Sequence, residues 1–122
     1  MIDHVSIQVR DVAASAAFYD AILAPLGASR QLDFGEVMGF GTSRPSFWIG
    51  PVTTAGEARE VHRAFLAADR ATVDAFHGAA VAAGAEVLHP PRVWPEYHPG
   101  YYGAFVRDLD GNNVEAVCHT PQ

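Results

Sequence analysis

Apolar and polar residues alternate at the start of the chain: Val5, Ile7 and Val9 fall on one side, and His4, Ser6 and Gln8 on the other. A period of two predicts a strand with one face on a core and the other on water or a cavity. Asp11 follows as an N-cap, and from Val12 to about Ala24 the pattern turns helical, with Phe18 and Ile22 on the buried side. Pro25 and Gly27 end that helix. Short strands are predicted near Ser29–Asp33, Val37–Gly41 and Ser46–Gly50, and residues 51–56 read as a linker. The pattern then restarts. Val61–Ala67 predicts a strand, Asp69 a second N-cap, and Arg70 to about Ala83 a second helix burying Val73, Phe76 and Ala80. A strand near Glu86–His89 stops at Pro90-Pro91 and gives way to a loop, Arg92–Gly100. Two strands close the chain on either side of Asp108-Leu109-Asp110-Gly111-Asn112, where Asp-Gly and Asn favour the positive φ of a tight reversal.

The restart is an internal repeat. A shift of 58 residues puts His4 on His62, Asp11 on Asp69 and Phe18 on Phe76. Each half reads as strand, helix and three strands, so the fold class is α+β: one domain over residues 1–122, with repeat one at about 1–53 and repeat two at about 58–120. If helices cover one face of each sheet, His4, Ser6 and Gln8 line a cup. The same parity sends Tyr101, Gly103, Phe105 and Arg107 into the cup, and Tyr102, Ala104 and Val106 towards helix. Arg63 falls on the helix side and is expected to snorkel from the strand end. Cys118 shares parity with Val114 and Ala116 and is expected to be buried and inert.

Composition narrows the partners. The 122 residues are 49% hydrophobic and 18% charged, as in a globular domain, and the net charge is -6 with no basic cluster. That argues against nucleic acid and anionic membrane as partners. A single cysteine rules out an internal disulfide. With no apolar stretch of signal-peptide type at the N-terminus and no run of bilayer length, the expected location is the cytoplasm.

Candidate chemistry gathers at three positions. Glu115 stands in an otherwise apolar strand, where a carboxylate is costly unless it meets solvent or a cation. His4 and His62 occupy equivalent places, each seven residues before its capping aspartate. Two imidazoles and a carboxylate that converge make a three-ligand metal site with open positions. His98 and Tyr101 lie just before a cup-lining strand and are candidates for proton transfer and substrate orientation, with His98 alternatively a fourth ligand. Gln8, Trp48, Phe105 and Arg107 are the candidate substrate contacts. His77, His89 and His119 receive no role.

Ile2-Asp3-His4-Val5, Ala17-Phe18-Tyr19, His62 and Asp108-Leu109-Asp110-Gly111-Asn112-Asn113-Val114-Glu115 together resemble the vicinal oxygen chelate superfamily, the glyoxalase/bleomycin-resistance/dioxygenase group. The resemblance covers nearly the whole chain. It implies paired βαβββ modules whose partly closed sheet cups a divalent metal (Zn, Mn, Fe, Co or Ni), with His4, His62 and Glu115 as ligands, in a homodimer. It implies a glyoxalase-like isomerase or lyase on an oxygen-rich substrate, an extradiol-type dioxygenase, or a metal-free bleomycin-resistance-like binder. Glyoxalase I enzymes take a fourth ligand from the last strand of the first module. The matching place here is Trp48, whose ring nitrogen cannot ligate a metal.

Overall fold

The computed structural model describes residues 1–119; the expected end of the second repeat near residue 120 lies outside them. The first module runs β1 (Val5–Val9), α1 (Val12–Leu23), a 3-10 turn (Ala24–Leu26), β2 (Ser29–Asp33), β3 (Met38–Gly41) and β4 (Phe47–Pro51). The second runs β5 (His62–Leu66), α2 (Arg70–Ala82), β6 (Val87–Val93), β7 (Tyr102–Arg107) and β8 (Asn113–Cys118). Each module is one four-stranded sheet, ordered β1-β4-β3-β2 and β5-β8-β7-β6, and the two sheets stay open. Within each, the first strand runs parallel to the last and the other pairs are antiparallel.

Both helices start where their caps dictate. Asp11 Oδ1 accepts the Ala14 N–H at 3.0 Å, and Asp69 Oδ1 accepts from both the Thr72 N–H and hydroxyl, at 2.8 and 2.7 Å. Each helix lays one face on its own sheet, and the predicted buried positions Phe18, Ile22, Val73, Phe76 and Ala80 all enter the core. Strand parity holds as well: Ala104, Val106, Val114, Ala116 and Cys118 lie in the core, and Tyr102 reaches Asp74 on α2.

Two expectations need correction. The strand predicted to end at His89 continues through Pro90-Pro91 to Val93. It lies at the sheet edge, and its pairing with β7 slips between Val87 and His89 and between His89 and Arg92. An edge position and a slipped register tolerate residues without an N–H. Arg63 does not snorkel. It is buried where the modules meet, and its Nη2 donates to Asp108 Oδ2 at 3.0 Å and to the Tyr19 hydroxyl at 2.5 Å. Its guanidinium lies over the rings of Tyr19 and Phe47, with centroid distances of 5.9 and 5.3 Å. Asp108 is folded inward by its own hairpin. Its Oδ1 accepts the N–H groups of Asp110 and Asn112, both at 2.9 Å, while Gly111 turns the chain at φ +84°.

Candidate functional site

Glu115 is the floor of the site. It sits on β8 beside Ala64 of β5 and Phe105 of β7, on the sheet face that carries no helix. Its exposure is 1%, and a carboxylate so placed needs partners. Two side chains reach it: His62, whose Nε2 lies 2.8 Å from Oε1, and Tyr101, whose hydroxyl donates to Oε2. All eight basic residues of the chain are arginines, and none of them pairs with Glu115.

Tyr101 reaches Glu115 across Gly103. A Cβ on Gly103 would lie 3.2 Å from Glu115 Oε2 and 3.3 Å from the Tyr101 ring, so the missing side chain is what lets the ring lie down. Burial, and then the bond to the Glu115 carboxylate, push the Tyr101 phenol well above its ordinary pKa. It is therefore a hydrogen-bond donor rather than a base. Phe105 closes the floor beside this pair, with the rings of His62, His89 and Trp94 at 5.8, 5.6 and 5.1 Å. Trp94 is fixed by its indole N–H, which donates to the Gly103 carbonyl at 3.1 Å.

The remaining predicted positions divide. His62, Glu115, Tyr101 and Phe105 stand together. His4 stands apart, just ahead of β1 on the other sheet, with an exposed ring whose Nδ1 meets Asp3 Oδ1 at 2.8 Å. Gln8 is engaged with the linker, donating to Thr53 Oγ1 at 3.1 Å and accepting from the Thr54 hydroxyl at 3.0 Å. Trp48 lies on the first sheet over Gly39 and stacks with Phe34, the ring planes 8° apart. Arg107 is held by Glu60, Glu86 and the Gly111 carbonyl. His98 bonds His119, its Nε2 2.8 Å from His119 Nδ1. Sequence reasoning placed Gly103 in the cup but gave it no role, although an interior strand glycine between two cup-facing aromatics signals a close approach. It also missed His119 and His89, which join the ring cluster around the site.

The donors present suit a divalent transition metal in part. His62 Nε2 and Glu115 Oε1 are an N,O pair, and their 2.8 Å separation is close to the roughly 2.9 Å between two cis ligands at ordinary bond lengths. One chain brings only these two together among the described residues. Among the described residues no group of three His, Cys, Asp or Glu stands together in a metal-holding arrangement.

A paired βαβββ architecture with a histidine and a glutamate on the open sheet face defines a class, and the sequence match agrees with it. The chain belongs to the Glyoxalase/Bleomycin resistance protein/Dioxygenase superfamily, whose model matches residues 1–116. Among solved structures it is similar to a glyoxalase/bleomycin resistance protein from Albidiferax ferrireducens T118, with 28% identity and a TM-score of 0.84, covering 95% of this chain and 97% of that one. It is also similar to a lactoylglutathione lyase from Agrobacterium tumefaciens, with 25% identity, a TM-score of 0.72, and 97% and 92% of the two chains covered. A fosfomycin resistance protein from Listeria monocytogenes shares the fold at 20% identity and a TM-score of 0.73, over 98% and 93% of the chains. No curated protein sequence matches this chain. Among the described residues no helix is long and apolar enough to cross a membrane.

Proposed function

We propose that this chain is a metal-dependent enzyme of glyoxalase-like type, acting on a small oxygen-rich substrate in a site that two copies of the chain complete. His62 and Glu115 come from one copy, and His4 from the other. The observation that carries this reading is Glu115: a carboxylate 1% exposed at the base of an open sheet face, with an imidazole and a phenol bonded to it. The exposed His4 on a separate open sheet supports sharing between copies, because among the described residues no third donor joins His62 and Glu115. When bound, a divalent metal would act as a Lewis acid towards two neighbouring substrate oxygens. The chain's own residues do the rest. Glu115 offsets positive charge at the site and His62 orients it from above. Tyr101, kept protonated, donates its hydroxyl to Glu115 and holds that carboxylate in place. Phe105 and Trp94 exclude water beneath.

Metal analysis after purification, chelation and refilling tests the reading. Wild-type protein is expected to take up about one divalent ion per chain, and His62→Ala and Glu115→Gln to lose most of it, with the fold retained. His77→Ala, on α2, is the control and should match the wild type. A wild-type protein that takes up no divalent metal overturns the enzyme reading in favour of a metal-free small-molecule binder. Oxygen consumption with a catechol would replace isomerase or lyase chemistry with a dioxygenase.

A further inference from the structure

Tyr101 reaches Glu115 from the loop that joins β6 to β7, and that loop is tied down by an unusual pair. Three rings meet Tyr101 edge-on: Tyr97 at 4.8 Å, His98 at 5.4 Å and His119 at 5.2 Å. Two of the three are joined. His98 Nε2 lies 2.8 Å from His119 Nδ1, and the imidazoles stack with centroids 5.1 Å apart. His98 belongs to the loop, and the Tyr101 N–H donates to its carbonyl at 3.2 Å. His119 follows β8, four residues past Glu115, and so shares its face by strand period. The pair therefore pins the loop to the strand that carries the carboxylate.

Two imidazole nitrogens this close share either a metal or a proton, and a third contact decides. The Gly100 N–H donates to His98 Nδ1 at 3.1 Å. A nitrogen that accepts carries no proton, so neutral His98 carries its proton on Nε2 and donates it to His119 Nδ1. A bridging metal would need lone pairs on both facing nitrogens. That would move the His98 proton to Nδ1 and strip the Gly100 N–H of its acceptor. The hydrogen-bonded tautomer satisfies all three groups. A second proton on His119 would set donor against donor and add a positive charge.

Among the described residues, the charged groups around the pair are engaged elsewhere. On the loop stand Tyr97, Tyr101 and Glu96, the last paired with Arg92. On β8 stands Glu115, engaged by His62 and Tyr101. On β7 and α2, Tyr102 bonds Asp74, and Arg70 lies over the Tyr102 ring. Among the described residues no arginine or carboxylate bonds either imidazole.

We propose that His98 and His119 form a proton-operated latch that positions Tyr101 on Glu115. The latch is closed while both imidazoles are neutral and opens when His119 takes a second proton, on the Nδ1 that accepts from His98. Its regulatory meaning rests on the metal-site reading above, but the latch itself does not. Imidazole nitrogen NMR, with the hydroxyl-bearing carbon of Tyr101 followed and assigned through Tyr101→Phe, tests it across the range of about pH 5 to 8 where histidines gain their proton. Both histidines are expected as Nε2–H tautomers at the upper end, with the Tyr101 signal shifting as His119 takes up a proton. His119→Asn keeps an accepting oxygen in place of Nδ1 but cannot be protonated, so its Tyr101 signal should hold steady on acidification. His119→Ala removes the acceptor, and its Tyr101 signal at neutral pH should match that of acidified wild type. An Nδ1–H tautomer at His98, a His119→Asn protein that follows pH as the wild type does, or an unmoved signal in His119→Ala would each overturn the latch. Metal content measured on the same samples separates this outcome from failure of the metal site, since a protein without metal affinity can still show the latch intact.

Discussion

Gly103 sets the geometry of the site through the side chain it lacks. Ala at this position would place a methyl 3.2 Å from Glu115 Oε2 and 3.3 Å from the Tyr101 ring, so one of the two must move. The tyrosine is the freer, since Glu115 is walled in by the strand on either side. Gly103→Ala should keep the fold, at about 1–2 kcal/mol for a tight contact, and lift Tyr101 off the carboxylate. Loss of that bond removes a cause of the raised phenol pKa, so Tyr101 should ionise at lower pH than in the wild type. Ultraviolet titration of the four tyrosines, with Tyr101→Phe identifying the transition, measures this. An unchanged Tyr101 transition would mean that the ring does not depend on the glycine. The meeting of His62 with Glu115 could be anticipated because repetition and an apolar strand make each conspicuous on its own. The part played by Gly103 could not. Its effect arises from a neighbour across the sheet, and one strand read alone does not contain that neighbour.

Among the elements, the hairpin between β7 and β8 does more than reverse the chain. It carries Asp108 into the junction of the modules, where Tyr19 of α1 and Arg63 of β5 meet it. Burial raises the Asp108 carboxyl, but hydrogen bonds from Tyr19 and Asn112 and the charge of Arg63 outweigh it, and the net shift is downward. A carboxylate whose folded pKa is depressed contributes stability in full above its unfolded value, about 4, and that stability fades as the pH falls towards the folded value. Asp108→Asn should therefore destabilise the protein by about 3–5 kcal/mol at neutral pH, because Arg63 is left buried and unpaired. The gap from wild type should narrow on acidification below about pH 4. Denaturant unfolding at several pH values checks both parts, and a gap that stays constant with pH would assign the loss to packing alone. The helices were legible because caps and apolar spacing are local signals. The Arg63 contact and the extension of β6 were not: one depends on a partner 45 residues away, and the other on the strand lying at a sheet edge.

At the scale of the molecule, two open sheets leave much unpaired. β1 and β5 are outer strands, and apolar side chains beside their faces are exposed, Leu66 at 72% and Ile2 at 74%. Edges of this kind are ordinarily covered, and a second copy with two-fold symmetry would cover both at once. The same arrangement would bring His4 of one copy to His62 and Glu115 of the other. Mixing of variants distinguishes this from a site within one chain. His4→Ala and Glu115→Gln should each bind little metal alone. If subunits exchange, random pairing makes half of the dimers mixed, and each mixed dimer holds one site with all three ligands intact and one lacking two. Metal binding should then recover to about a quarter of the wild-type level. Differently tagged copies recovered together would verify that exchange took place. With exchange verified, no recovery would mean that His4 and the His62–Glu115 pair do not meet across an interface, and a monomeric mass in solution would remove the interface itself.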